Sequence, residues 1–126
     1  MSYLRNIVET EKAPEAVGVY SQGIEHLGVF YFSGQIGIDL KGQLQENFKE
    51  QLDQVLKNID GLLDSQGLDR SHILKTTIFM TDLSKFSHVN DAYKEFFKEP
   101  YPARSCVQVP ALPKGAEIEI EVMASK

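Results

Sequence analysis

Arg104 stands in Pro102-Ala103-Arg104-Ser105, directly after a proline-containing turn and at the start of an alternating stretch. A guanidinium held on a strand is a planar fork that matches a carboxylate. Glu119 lies in the next alternating stretch, Glu117 to Val122. The plain reading of the two is a cross-strand ion pair; the chemical reading is that Arg104 is a receptor for an anionic ligand. Cys106 follows two residues on. A catalytic thiol needs a base, and His26, His72 and His88 bear no recognisable relation to it. The cysteine therefore reads as a small packed hydrophobe. The three histidines match no ligand spacing, so no metal is expected.

Two triplets, Tyr20-Ser21-Gln22 and Ser33-Gly34-Gln35, combine hydroxyls and an amide, and Gly34 permits close approach to the backbone. They can orient a small polar ligand, and they are equally ordinary as strand ends. The phosphate-binding patterns GxGxxG and GxxxxGK[ST] are absent. Asn90 falls off the apolar stripe of its helix, as a surface polar residue or a ligand contact.

The elements that position these residues follow from periodicity. Tyr20 to Glu25 and Val29 to Ser33 read as strands around His26-Leu27-Gly28. Gly34 and Gly37 then break the extended pattern, as at a bulge or a close backbone approach. From about Gln45 to Gln66 the period becomes helical, with Phe48, Leu52, Val55, Leu56, Ile59, Leu62 and Leu63 in one stripe and Gly67 at its C-terminal end. Lys75 to Thr81 is a strand. A second helix runs from about Ser84 to Lys98, capped by Asp82 or Ser84, with Phe86, Val89, Tyr93, Phe96 and Phe97 on its apolar face. That stripe reads as core packing. Ala103 to Val109 and Glu117 to Val122 alternate as strands. Pro110, Pro113 and Gly115 mark a turn between them, which suggests an antiparallel pair.

The order β-β-α-β-α-β-β gives an α+β two-layer sandwich, a mixed β-sheet covered on one face by two helices. Ile118, Ile120 and Val122 are expected to face the helices, and Arg104, Cys106 and Glu119 to share the other face. Water or another subunit could cover that second face.

Composition bounds the rest. The 126 residues are one domain's worth of chain, 1–126, with 42% hydrophobic and 25% charged residues, as in ordinary globular proteins. No apolar run approaches a membrane span. The opening stretch from Met1 to Pro14 resembles neither a signal nor a transit peptide. The lone cysteine suits a reducing compartment, and a cytoplasmic location is expected. The net charge of −5, from 13 Lys+Arg and 18 Asp+Glu, argues against nucleic acid as a partner.

Taken together the pieces resemble the reactive intermediate deaminase family. They are Ala13-Pro14 with Gly18-Val19-Tyr20-Ser21-Gln22, Ser33-Gly34-Gln35-Ile36, Gln51, Asn58-Ile59 and Lys75-Thr76-Thr77-Ile78-Phe79. Asn90, Tyr93, Phe96-Phe97, Pro102-Ala103-Arg104-Ser105 and Glu117-Ile118-Glu119-Ile120-Glu121 complete them. Val19, where proline is frequent, and Gly23, where alanine is, depart from the pattern. The resemblance implies a chorismate mutase-like fold and a homotrimer with ligand clefts between subunits. It implies cofactor-independent hydrolysis of enamine and imine intermediates, 2-aminoacrylate and 2-iminobutanoate among them, to 2-keto acids and ammonia, which protects pyridoxal-phosphate enzymes. Arg104 would clamp the substrate carboxylate and Glu119 would orient the attacking water. Tyr20, Ser33 and Asn90 would shape the cleft, and backbone groups near Gly34 and Cys106 would bind the ligand. Beside Arg104, Glu119 is expected to stay ionised. A non-catalytic trimeric sensor of 2-keto acids is the alternative. A ribonuclease or translation inhibitor is a third, opposed by the charge and the lack of a histidine pair.

Overall fold

The computed structural model describes residues 4–126, so the first three residues of the opening stretch lie outside the described residues. Seven strands and two α-helices follow in the order β1 (Asn6–Val8), β2 (Gly23–His26), β3 (Val29–Phe32), β4 (Gln35–Ile36), α1 (Phe48–Ser65), β5 (Ile73–Met80), α2 (Phe86–Phe96), β6 (Ala103–Gln108) and β7 (Ile118–Ser125). The α+β class and the mixed sheet are as expected. The very short β1 and β4 are additions, and Tyr20, Ser21 and Gln22 precede β2 rather than forming part of it.

Helix α1 forms where the apolar period demands it. Asn47 caps it, its side chain accepting from the Glu50 amide at 2.9 Å. At the other end Gly67 takes a left-handed φ of 71°, and the Leu68 amide reaches back to the Leu63 carbonyl at 2.9 Å. Asp82 caps a 3-10 turn, Leu83–Lys85, by accepting from Ser84 N, and α2 begins only after it. The apolar stripes of both helices meet Ile78, Met80, Ile118, Ile120 and Val122 in one core, so those strand residues do face the helices.

The sheet runs β1-β2-β3-β7-β5-β6, with β4 also pairing β7. This corrects the expected hairpin of the last two strands. Strand β6 is parallel to β5, with Thr76 opposite Arg104 and Ile78 opposite Cys106. Strand β7 lies on the far side of β5, antiparallel to both β5 and β3. The proline-rich connection crosses from edge to centre instead of turning back.

Buried amides tie the loops to this frame. Gln22 donates to the carbonyls of Thr10 and Pro14, and its own oxygen accepts from the Thr10 amide. Asn58, on α1, donates to the carbonyls of Ile36 and Ile38. Gln51 holds the Gln45 carbonyl and the Glu117 amide. A Cβ on Gly37 would lie 2.5 Å from the Gln51 Cα, so only glycine lets this segment lie on the helix. These three buried amides are tolerable because each is paired.

Candidate active site

Register decides where Arg104 points. It sits opposite Thr76, which is 1% exposed and itself opposite Val122 in the core. Paired residues share a face, so Arg104 lies on the helix side of the sheet, out at the edge strand. There α2 receives it. Nη1 donates to Asn90 Oδ1 at 2.8 Å. The guanidinium carbon lies 4.9 Å from the Phe86 ring centroid and 5.5 Å from that of Tyr93, within cation–π range. Tyr93 is fixed from beneath, its hydroxyl donating to Thr76 Oγ1 at 2.9 Å. Among the described residues the bond to Asn90 is the guanidinium's only hydrogen bond, which leaves Nε and Nη2 open to a ligand.

Cys106 is half-buried on the same face, its Sγ 3.8 Å from Met80 Sδ. Burial pushes the thiol up from its ordinary value, and the nearby Arg104 only partly opposes this. Such a thiol stays protonated at neutral pH and packs against the core's edge.

Glu119 is elsewhere. It sits opposite Phe79, one step out of phase with the buried Ile118 and Ile120, so it projects from the open face. The expectation that Arg104, Cys106 and Glu119 share a face is therefore overturned, and with it a cross-strand ion pair within one chain. Among the described residues no cation bonds the Glu119 carboxylate. Burial, and secondarily the neighbouring Glu121, push it above the usual carboxylate range. The expected lowering by Arg104 does not occur within the chain, because the sheet separates the two groups.

Around Glu119 the other cluster assembles. A Cβ on Gly34 would lie 2.9 Å from the Glu119 carboxyl carbon, so the side chain occupies space that only glycine leaves free. Ser33 is anchored beside it, its amide bonding the Gln22 carbonyl at 2.9 Å and its hydroxyl the Ser21 carbonyl at 2.6 Å. Tyr20 is exposed in the preceding loop, its hydroxyl accepting from the Val17 amide at 3.3 Å. Shallow depressions of about 590 and 510 Å³ flank Tyr20 and Ser33. A larger cavity, about 910 Å³, lies at the far ends of α1 and α2 and contains none of these residues. Its Arg70 is already bonded to Asp60 and to the Phe96 carbonyl. Among the described residues no group of three or more His, Cys, Asp and Glu side chains is placed to hold a metal ion.

The chain thus carries two separate side-chain clusters, Arg104–Asn90–Cys106 on the helix face and Ser33–Gly34–Glu119, with Tyr20, beyond the open face. A family described as Endoribonuclease L-PSP matches residues 10–126. A RutC family protein of Aquifex aeolicus is 48% identical over 122 residues, 94% of this chain and 98% of its own. A Homo sapiens protein named 2-iminobutanoate/2-iminopropanoate deaminase is 44% identical over 125 residues, 98% of this chain and 91% of its own. The chain belongs to the reactive intermediate deaminase (Rid) family. The crystal structure of the Rid family protein YyfA from Yersinia pestis matches it with a TM-score of 0.94 at 49% identity, covering 97% of this chain and 99% of that one.

Of the residues that carry the likeness to the Rid family, Gln22, Gln51 and Asn58 tether loops, while Arg104, Asn90 and Tyr93 lie together on the helix face. Phe86 and Tyr93, expected as core packing, do pack there, Tyr93 in the core and Phe86 against it, and both also face the guanidinium. Their spacing with Asn90, at i, i+4 and i+7, is the signal that all three line one face of α2.

Proposed function

We propose that this Rid protein is a cofactor-independent imine deaminase. It hydrolyses 2-aminoacrylate, 2-iminobutanoate and similar intermediates to 2-keto acids and ammonia, in the cytoplasm. The observation that carries the reading is the pair of incomplete half-sites. Among the described residues Arg104 keeps its Nε and Nη2 groups free of protein partners and bonds no carboxylate, and Glu119 is a half-buried carboxylate that bonds no cation.

The substrate's carboxylate takes the Nε/Nη2 edge of Arg104, a charge-assisted bidentate pair. Its imine carbon then faces Glu119, which holds a water for attack. Water oxygen adds to the carbon as the C=N π electrons move to nitrogen. One water proton passes to that nitrogen, and the hydroxyl proton of the resulting carbinolamine follows as the C–N bond breaks, so ammonia leaves and the C=O of the keto acid remains. One water is consumed per ammonia released, and no electrons are exchanged. Protonated imines are electrophilic enough for positioning to supply most of the catalysis.

Two groups on opposite faces of one sheet serve the same ligand only when they come from different copies. This supports a homotrimer in which Arg104 and Asn90 of one subunit meet Tyr20, Ser33, Gly34 and Glu119 of the next. The backbone near Gly34 and Cys106 then completes the cleft. The ribonuclease description of the family finds no support in a net charge of −5.

The test generates 2-iminobutanoate in situ and follows its decay with and without protein. Acceleration that Arg104→Ala abolishes is expected. Keto-acid binding without any acceleration would replace the enzyme by a sensor.

A further inference from the structure

We propose that Phe86 is a positioning residue that sets the plane of the Arg104 guanidinium and so presents its Nε/Nη2 edge to the substrate carboxylate. The inference rests on the reading of Arg104 as the carboxylate receptor and deepens it. Three side chains of α2 act on the guanidinium: Asn90 holds Nη1 at 2.8 Å, while Phe86 and Tyr93 offer ring faces at 4.9 and 5.5 Å. The last two differ in how they are held. Tyr93 is 6% exposed and locked to Thr76 by its hydroxyl, so its place is set by the core. Phe86 is the first residue of α2 and only partly buried against that core. Its ring is also the nearer of the two to the charge.

One hydrogen bond leaves an arginine free to swing about that contact. A ring face beneath it removes that freedom, because the delocalised cation prefers to lie over the negative quadrupole. A carboxylate then finds the fork already oriented. Leucine at position 86 would keep the apolar contact with the core and lose the platform. Tyrosine would keep both.

The experiment compares wild type, Phe86→Leu and Phe86→Tyr in two readouts. The first is the NMR resonance of the Arg104 Nε–H group, assigned with Arg104→Lys. Ring current displaces it from the position of an exposed arginine in wild type and in Phe86→Tyr, and Phe86→Leu moves it back toward that position, leaving the smaller contribution of Tyr93. The second is steady-state hydrolysis of 2-iminobutanoate. KM rises about three- to tenfold in Phe86→Leu, with kcat within about twofold, and Phe86→Tyr stays near wild type. The inference is overturned if Phe86→Leu leaves the resonance in place. It is equally overturned if KM is unchanged, or if both variants lose kcat in step with thermal stability, as a purely structural residue would. Should wild type fail to hydrolyse the imine, the deaminase reading falls. The resonance and the Kd for 2-oxobutanoate then still decide the role of Phe86.

Discussion

Arg104 and Glu119 occupy opposite faces of one sheet, with strand β5 between their own strands. Chains carrying Arg104→Ala and chains carrying Glu119→Gln should each be inactive alone. Unfolded together in equal amounts and refolded as mixed oligomers, they should regain about a quarter of wild-type sites, because random assembly brings an intact Arg104 against an intact Glu119 at that frequency. No recovery from correctly refolded mixed oligomers would sink the shared site.

The raised pKa of Glu119 gives a pH signature. A water-orienting carboxylate must be ionised, so acceleration over the uncatalysed rate should fall as pH drops through its shifted value, above the ordinary 4.5. Glu121 contributes to the rise by repulsion. In Glu121→Gln that repulsion is gone, Glu119 becomes the stronger acid, and the acid limb of kcat/KM should move to lower pH. A limb that stays put would separate Glu119 from the rate.

Gly34→Ala asks Glu119 to move. The added methyl group would overlap the carboxyl end of that side chain, which is flexible enough to yield. The variant should fold, bind 2-oxobutanoate through Arg104 much as wild type does, and lose up to about 100-fold in kcat as the water is displaced. Calorimetry and imine decay on one preparation test both halves.

The elements around these two half-sites were unequally legible. Helix α1 was plain, because its seven-residue apolar stripe has no strand interpretation. The partner of β6 was not. Alternation states which side chains of a strand share a face, and says nothing of which strand lies alongside. A turn rich in proline and glycine then suggested a hairpin that the chain does not make. The face of Arg104 was hidden for a related reason. Every residue of β6 except the half-buried Cys106 is exposed, so the edge strand carries no burial signal to fix its orientation. Gly34 was recognisable as a close approach, but that the approaching group is Glu119 depends on the β4–β7 pairing, and β4 has only two residues.

Tyr93 ties stability to pH at the alkaline end. Burial pushes its phenol up to about 12, from an ordinary 10.0. The folded value exceeds the unfolded one, so the stabilisation is complete below pH about 10 and is lost as pH rises through about 12. Phenolate absorbance should show one of the five tyrosines ionising late, around pH 12 rather than 10. Tyr93→Phe should remove that late step. It should also cost about 1–3 kcal/mol at neutral pH, because the Thr76 hydroxyl loses its partner.

Strand β7 has a further consequence, for the order of events at the ribosome. It is translated after every strand it pairs with, yet it lies between β3 and β5 and also holds β4. Until it emerges, the sheet exists only as separate pieces: the β1-β2-β3 meander and the β5-β6 pair. Nascent chains that stop short of Ile118 therefore display the β3 and β5 edges that β7 will cover and an apolar core that lacks Ile118, Ile120, Val122 and Ala124. The interval before the last strand arrives is when this protein most needs shelter from aggregation.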